Sequence, residues 1–299
     1  MTHATLDPVQ TKKTTQAVFD PVQYKKTTKE QWNQAAEAWH RWGPLLNRWL
    51  GPATEIMLDK GNIKQGSRVL DVAAGAGEQS MTAAKRVGQT GSVLATDLSP
   101  EILKFAESSA KLLGISNFNT KVIDGESLEE LNEAPFDAVI SRVGLIYFPD
   151  QQKALKGMRS RLKENGKISV MVYSTGDKNG FFSVPVSIIR RRANLPAPLP
   201  GQPGPFSLGN PDVLKKTLED AGFRDVEVQA IKAPLRVESV MECIQFEQES
   251  FGALHQMLSS LSPAEQDETW NEIEDVLAQY QHGNQFSGPC EMLIASGVK

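Results

Sequence analysis

The chain has 299 residues, 40% of them hydrophobic and 23% charged, with 32 Lys plus Arg against 36 Asp plus Glu. Those proportions exclude fibrous, disordered, disulfide-stapled and membrane-spanning classes. A formal charge of -4 gives no electrostatic footprint for a polyanion, so nucleic acid is not an expected partner.

The N-terminus has no apolar run of signal-peptide length, and the chargeless stretch Ala193 to Pro211 holds six prolines. The cytoplasm is therefore the expected compartment, with no membrane span. Residues 7–15, DPVQTKKTT, recur almost unchanged as residues 20–28, DPVQYKKTT, a local duplication too short for a solenoid. Only Val18, Phe19 and Val22 offer much to bury there. Residues 1–28 thus read as a flexible or loosely docked arm before one domain spanning 29–299.

From Gln31 the texture changes, and Trp32, Ala35, Ala36, Trp39, Trp42, Leu46 and Trp49 follow helical spacing. Gly43-Pro44 divides the run into two helices with different faces. The four tryptophans either pack on the core or line a pocket for an apolar or aromatic substrate, and both can hold at once.

Short apolar runs then alternate with helical segments. Arg68 to Asp71, Ser92 to Asp97, Asn119 to Asp124, Phe136 to Ser141 and Lys167 to Tyr173 read as strands, which argues a parallel sheet covered on both faces. Ser99 before Pro100, with Gly114 beyond, punctuates one helix, and Asn210, Pro211 and Gly222 punctuate another. Val226 to Ile231 and Glu291 to Ser296 complete the strands. Two interruptions, at about 176–211 and 239–285, are expected to cover the site; the second contains helical segments near 239–258 and 263–281, the latter opening with a capping box at Ser262-Pro263-Ala264-Glu265. A helix after Ser187 would carry Arg190 to Arg192 on its wet face.

The segment RVLDVAAGAGEQS, residues 68–80, is an apolar strand passing through Asp71, Gly75 and Gly77 into a helix. Glycines there permit a tight turn and close approach to a ligand, a feature of many nucleotide-binding folds. Asp97 closes the second strand 26 residues after Asp71, and Asp124 closes the third after 27 more. In an open α/β sheet the carboxyl ends of the strands form the ligand crevice, so the three acids should face one bound molecule. Asp97 sits where a carboxylate accepts both ribose hydroxyls, and Asp124 where it could accept from an adenine amine or only cap the next helix.

VLDVAAGAGEQS, ATDLSPEIL, IDGESL, FDAVISRVGLIYFPD, ALKGMRSRLKENGKISVMVYS and LEDAGFRDVEV occur in an order that resembles the class I S-adenosylmethionine-dependent methyltransferases. More narrowly, the chain is similar to the small-molecule group likened to the ubiquinone and menaquinone C-methyltransferases. The resemblance covers about residues 31–231 and the final strand. It implies a Rossmann-like α/β fold with a seven-stranded, mostly parallel sheet, helices on both faces, and N-terminal helices and helical insertions over the active site. It also implies that the loop from Asp71 through Ala73 and Gly75 to Gly77 holds the methionine part of the cofactor, with Asp71 toward its amino group directly or through water. Asp97 would take the ribose, Leu98 one adenine face, Asp124 and Gly125 the adenine edge, and Ser141 or Arg142 would approach cofactor and substrate. Ala73 departs from the family by replacing the usual first glycine of the loop.

A dinucleotide-binding dehydrogenase is the nearest rival, but the loop lacks the third glycine or alanine of that fingerprint, and Asp71 would repel a pyrophosphate. A non-catalytic protein that keeps the cofactor crevice is the reading from another class. The expected partner is a small organic methyl acceptor, since no Asn/Asp-Pro-Pro-aromatic sequence follows the fourth strand and no acidic pair suits a catalytic metal. Arg142 would orient an anionic or carbonyl oxygen. A base is optional for an activated methyl group; His40, Tyr173, Asp177 and His255 are the candidates, and spacing singles out none of them.

Overall fold

The computed structural model describes residues 19–199 and 202–299. Asp20 accepts hydrogen bonds from the backbone N–H groups of Val22 and Gln23 and precedes Pro21, so it caps α1 (Pro21–Arg41). The second DPVQ unit is therefore a helix start, and residues 21–28 belong to α1 rather than to the expected arm. Residues 1–18, with the first copy, lie outside the described residues. The chain bends at Trp42 into α2 (Gly43–Lys60), where Gly43-Pro44 was expected to divide the helices.

Next come β1 (Arg68–Val72), α3 (Glu78–Val87), β2 (Ser92–Asp97), α4 (Pro100–Leu112), β3 (Phe118–Val122), β4 (Phe136–Arg142), α5 (Gln151–Arg161) and β5 (Leu162–Tyr173). They are followed by α6 (Gly180–Arg192), α7 (Pro211–Asp220), β6 (Arg224–Lys232), β7 (Leu235–Val237), α8 (Val240–Ser250), α9 (Gly252–Leu258), α10 (Pro263–Leu277), β8 (Gln281–His282), β9 (Gln285–Gly288) and β10 (Glu291–Val298). The main sheet has seven strands in the order β3-β2-β1-β4-β5-β10-β6. β1 to β5 run parallel, while β10 lies antiparallel between β5 and β6. Val69, Leu70, Val139, Ile140, Val170 and Val172 are at most 1% exposed, as expected for strands covered on both faces.

Some boundaries differ from those read in the sequence. β3 ends at Val122, so Asp124 stands two residues past the strand instead of closing it. The first interruption contains α6, which begins seven residues before Ser187. The segment 239–258 is two helices because Phe251, with φ −103 and ψ 79, leaves helical geometry. β7, β9 and β8 form a small antiparallel sheet that no sequence pattern announced, since runs of two to four residues are too short to display a period.

Candidate active site

A cleft lies at the carboxyl ends of β1, β2 and β4, with about 1020 Å3 of unfilled space, part of it open to solvent. Its floor includes Ala73, Ala74, Gly75, Gln79, Asp97, Leu98 and Asp124; its far walls include Arg142, Tyr147, Phe148, Tyr173, Trp32 and Trp39.

The loop after β1 owes its shape to left-handed residues. Ala73, Gly75 and Gly77 have φ of 57, 58 and 89. Ala73 is the strained one, because its side chain crowds the backbone there. Its methyl is accommodated by Gly144, where an added Cβ would come within 2.4 Å of the Ala73 Cβ. Val143, just before Gly144, is also left-handed at φ 61, so strain collects where the β1 and β4 loops meet. Gly77 is not in the cleft wall; a Cβ there would meet Ala106 of α4 at 2.9 Å, so this glycine lets α3 and α4 approach.

The three acids have different settings. Asp97 lines the cleft, its Oδ2 accepting from Gly75 N at 3.0 Å and its Oδ1 from Ser99 N at 2.9 Å. Burial pushes its pKa up, and those backbone N–H groups act against the rise. Asp71 is fully buried behind the loop, outside the cleft wall. Its carboxylate accepts from the Ser80 hydroxyl and, at 3.4 Å, from Gln79 Nε2. Desolvation pushes Asp71 up to about 7 despite these donors and the nearby Arg142 charge. Gln79, which also donates to Ala74 O at 3.0 Å, is the group that reaches the cleft on behalf of Asp71. Asp124 is at the opposite end, where Lys25 of α1 reaches its Oδ2 at 2.7 Å and Glu126 at 2.8 Å.

Between the ends lies an apolar slot of Leu98, Ile102, Ile123 and Phe148. Gly125 is required beside it, since a Cβ would meet the Phe148 ring at 2.5 Å. Arg142 lines the cleft and is pinned from behind by Glu78 at 3.3 Å and by Thr54, also at 3.3 Å. The side chains of this ion pair are only 5% and 7% exposed, and burial pushes the guanidinium down and the carboxyl up. Ser141 does not reach the cleft wall; its buried Oγ has no partner among the described residues.

Tyr173 is the one proton-transfer candidate that lines the cleft, and desolvation raises its pKa well above 10, so its hydroxyl is a donor at neutral pH. His40 stacks on Phe105 at 4.8 Å, His255 bonds to Gln248 O, and the Asp177 side chain is 71% exposed; none of the three lines the cleft. Trp32 meets Trp39 edge-on at 5.4 Å and Tyr147 at 5.7 Å, and Trp39 meets Phe251 at 5.9 Å, so α1 and the α8–α9 turn make an aromatic roof. Trp49 instead donates to Ala233 O in the core, and Trp42 bonds to Glu249. Trp32 and Trp39 thus line the cleft, while Trp49 packs in the core.

Sequence reasoning missed Glu78, Gln79, Lys25 and Phe148. The first two are the E and Q of the quoted GEQS, so their position after the glycine turn was available; Lys25 had no signal beyond a repeated unit. Among the described residues no cluster of three or more His, Cys, Asp or Glu could hold a metal, and no helix is long and apolar enough to cross a membrane.

Residues 63–183 match the model of a methyltransferase domain family. An uncharacterised protein of Mycobacterium tuberculosis is 34% identical over 172 residues, 57% of this chain and 59% of that one. A ubiquinone/menaquinone biosynthesis C-methyltransferase of Edwardsiella ictaluri is 32% identical over 118 residues, 39% of this chain and 47% of that enzyme. The chain thus spans less than two thirds of the curated relatives it matches. Among solved structures, the YcgJ protein of Bacillus subtilis superposes with a TM-score of 0.54 at 18% identity, covering 83% of this chain and 98% of that one. The cyclase SpnF superposes at 0.50 with 16% identity, covering 89% and 96%. Both likenesses concern the fold.

Proposed function

We propose that the chain is a class I S-adenosylmethionine-dependent methyltransferase that transfers a methyl group to an O, N or C atom of a small, apolar or aromatic metabolite, a reading supported by the methyltransferase-domain match over residues 63–183 and by the likeness to a C-methyltransferase over 118 residues. The observation that carries this reading is the cleft itself. One end offers a carboxylate fixed by two backbone N–H groups, suited to a ribose diol, beside an apolar slot suited to adenine. The other end is roofed by aromatic rings.

The residues fit the cofactor. Asp97 would take the ribose hydroxyls, Leu98, Ile102, Ile123 and Phe148 would enclose the adenine, and Asp124 would stand at its amino edge. Ala73, Gly75 and Gln79 would hold the methionine tail, with Asp71 fixing Gln79 from behind. When bound, S-adenosylmethionine supplies a methyl group already activated by its sulfonium. The protein therefore has to align the acceptor and exclude water. Arg142, held by Glu78, and Tyr173 would direct an acceptor oxygen, while Trp39 and Phe251 close the apolar side. A nicotinamide dinucleotide fits less well, because buried Glu78 opens α3 where a pyrophosphate would sit. A non-catalytic reading rests on Ala73 and on the lack of a base that spacing identifies; the room that Gly144 leaves for the Ala73 methyl weakens the first of these grounds.

We place the protein in the cytoplasm, acting on a small molecule rather than on nucleic acid. Calorimetric titration with S-adenosylmethionine, S-adenosylhomocysteine and NADH tests the reading, followed by a screen of phenols, quinones and amines with labelled methyl donor. Binding of the first two alone, followed by label transfer, is expected. A folded protein that binds only NADH would overturn it.

A further inference from the structure

α1 does two things at once. Its first turns send Lys25 across the cleft mouth to Asp124 and Glu126, and its middle carries Trp32 and Trp39 over the cleft. Glu126 is 6% exposed and, among the described residues, has two donors, Lys25 Nζ at 2.8 Å and Asp150 N at 3.0 Å. Asp124 receives Glu126 N at 2.9 Å on Oδ1 and Lys25 on Oδ2. Without the lysine, two neighbouring carboxylates would face each other with half their partners gone. Burial works against the Lys25 charge, but the two carboxylates outweigh it and raise its pKa, so the ammonium persists through the neutral range. Thr28, one turn further along the same helix, also lines the cleft.

A carboxylate has about four acceptor directions, so Asp124 can hold Lys25 and still receive a further donor from within the cleft. We propose that Lys25 is a cofactor-positioning residue: it fixes the Asp124 carboxylate that receives the adenine amino group, and in the same act latches the Trp32–Trp39 helix over the bound cofactor. The proposal rests on adenine lying at Asp124, as in the function proposed above. Its consequence is an order of events: the latch opens for the cofactor to enter, and closing it completes the roof of the acceptor chamber.

The test uses the full chain, S-adenosylhomocysteine, and its inosine analogue, in which an oxo group replaces the adenine amine. The wild type is expected to prefer the adenine compound by about tenfold or more, the worth of one charge-assisted hydrogen bond. Lys25→Met should weaken the adenine compound by about tenfold, weaken the analogue much less, and accelerate release seen in tryptophan fluorescence. Lys25→Arg should restore the preference, and the melting temperature of cofactor-free protein serves as the fold check. Undiminished preference or tighter binding in a folded Lys25→Met variant overturns the latch. Wild-type binding without preference places adenine away from Asp124 and overturns the proposal at its premise, whereas no binding of either compound removes the cofactor reading itself.

Discussion

The floor and the roof of the cleft are built on opposite principles. On the floor, the polar groups are matched one by one: Asp97 with Gly75 N and Ser99 N at the cleft wall and, behind it, Asp71 with Ser80 and Gln79. In the roof, Trp32, Trp39, Tyr147 and Phe251 meet edge-on across three separate segments, and contact geometry replaces hydrogen bonding. A floor of that kind is suited to one molecule whose donors match its fixed acceptors. A roof of that kind is suited to selection by shape, and its rings can be exchanged while the Lys25 contact to the floor is kept.

The contrast can be broken most severely at the buried ion pair beneath the cleft. Glu78→Met leaves Arg142 charged and unpaired and should cost about 3–5 kcal/mol in urea unfolding, while the double variant with Arg142→Met should recover most of it. Loss by both routes equally would show that the pair is held by packing alone.

Asp71 gives the next effect, and its sign is opposite to that of an ordinary ion-paired acid. Its folded pKa of about 7 lies above the ordinary value of 3.8, so between those values the folded protein binds the extra proton. Stability contributed by this group is complete below about pH 4 and falls by about 2–4 kcal/mol as pH rises through 7. Asp71→Asn should flatten that slope, as read from melting temperature against pH. A slope unchanged in the variant would assign it to other groups.

Asp97→Ala tests the floor for binding, with an expected loss of about 1.5–3 kcal/mol in S-adenosylhomocysteine affinity, measured by calorimetry. The smallest effect belongs to the roof: Trp32→Leu gives up two edge-on contacts and should cost about 1 kcal/mol of stability, leaving S-adenosylhomocysteine affinity within twofold. A large affinity loss there would merge roof and floor into one recognition unit.

This division also explains what could be read in advance. β1, β2 and β4, the caps at Ser99 and Asn210, and the positions of Asp97, Leu98, Ala73 and Gly75 follow from local rules, because alternation of strand and helix with Gly, Pro and Ser punctuation is written in contiguous residues. The reach of Lys25 to Asp124 joins residues 99 positions apart, and the Arg142–Glu78 pair joins residues 64 apart; no periodicity encodes either. The displacement of Asp71 behind Gln79 was hidden for another reason. Its carboxylate sits at the expected strand end, but the donors Ser80 and Gln79 come from the next helix and turn it away from the cleft.

The antiparallel placement of β10 has a consequence for how the molecule is made. Among the described residues β6 (Arg224–Lys232) pairs only with β10 (Glu291–Val298), so β6 leaves the ribosome with no strand to join. During vectorial synthesis, β7 and the helices α8 to α10, which carry Phe251 of the roof, emerge while β6 waits unpaired. These helices can thus settle on α1 and α6, which they contact, before β10 completes the sheet, and an unpartnered β6 is the exposed strand edge that a chaperone would be expected to shield in that interval.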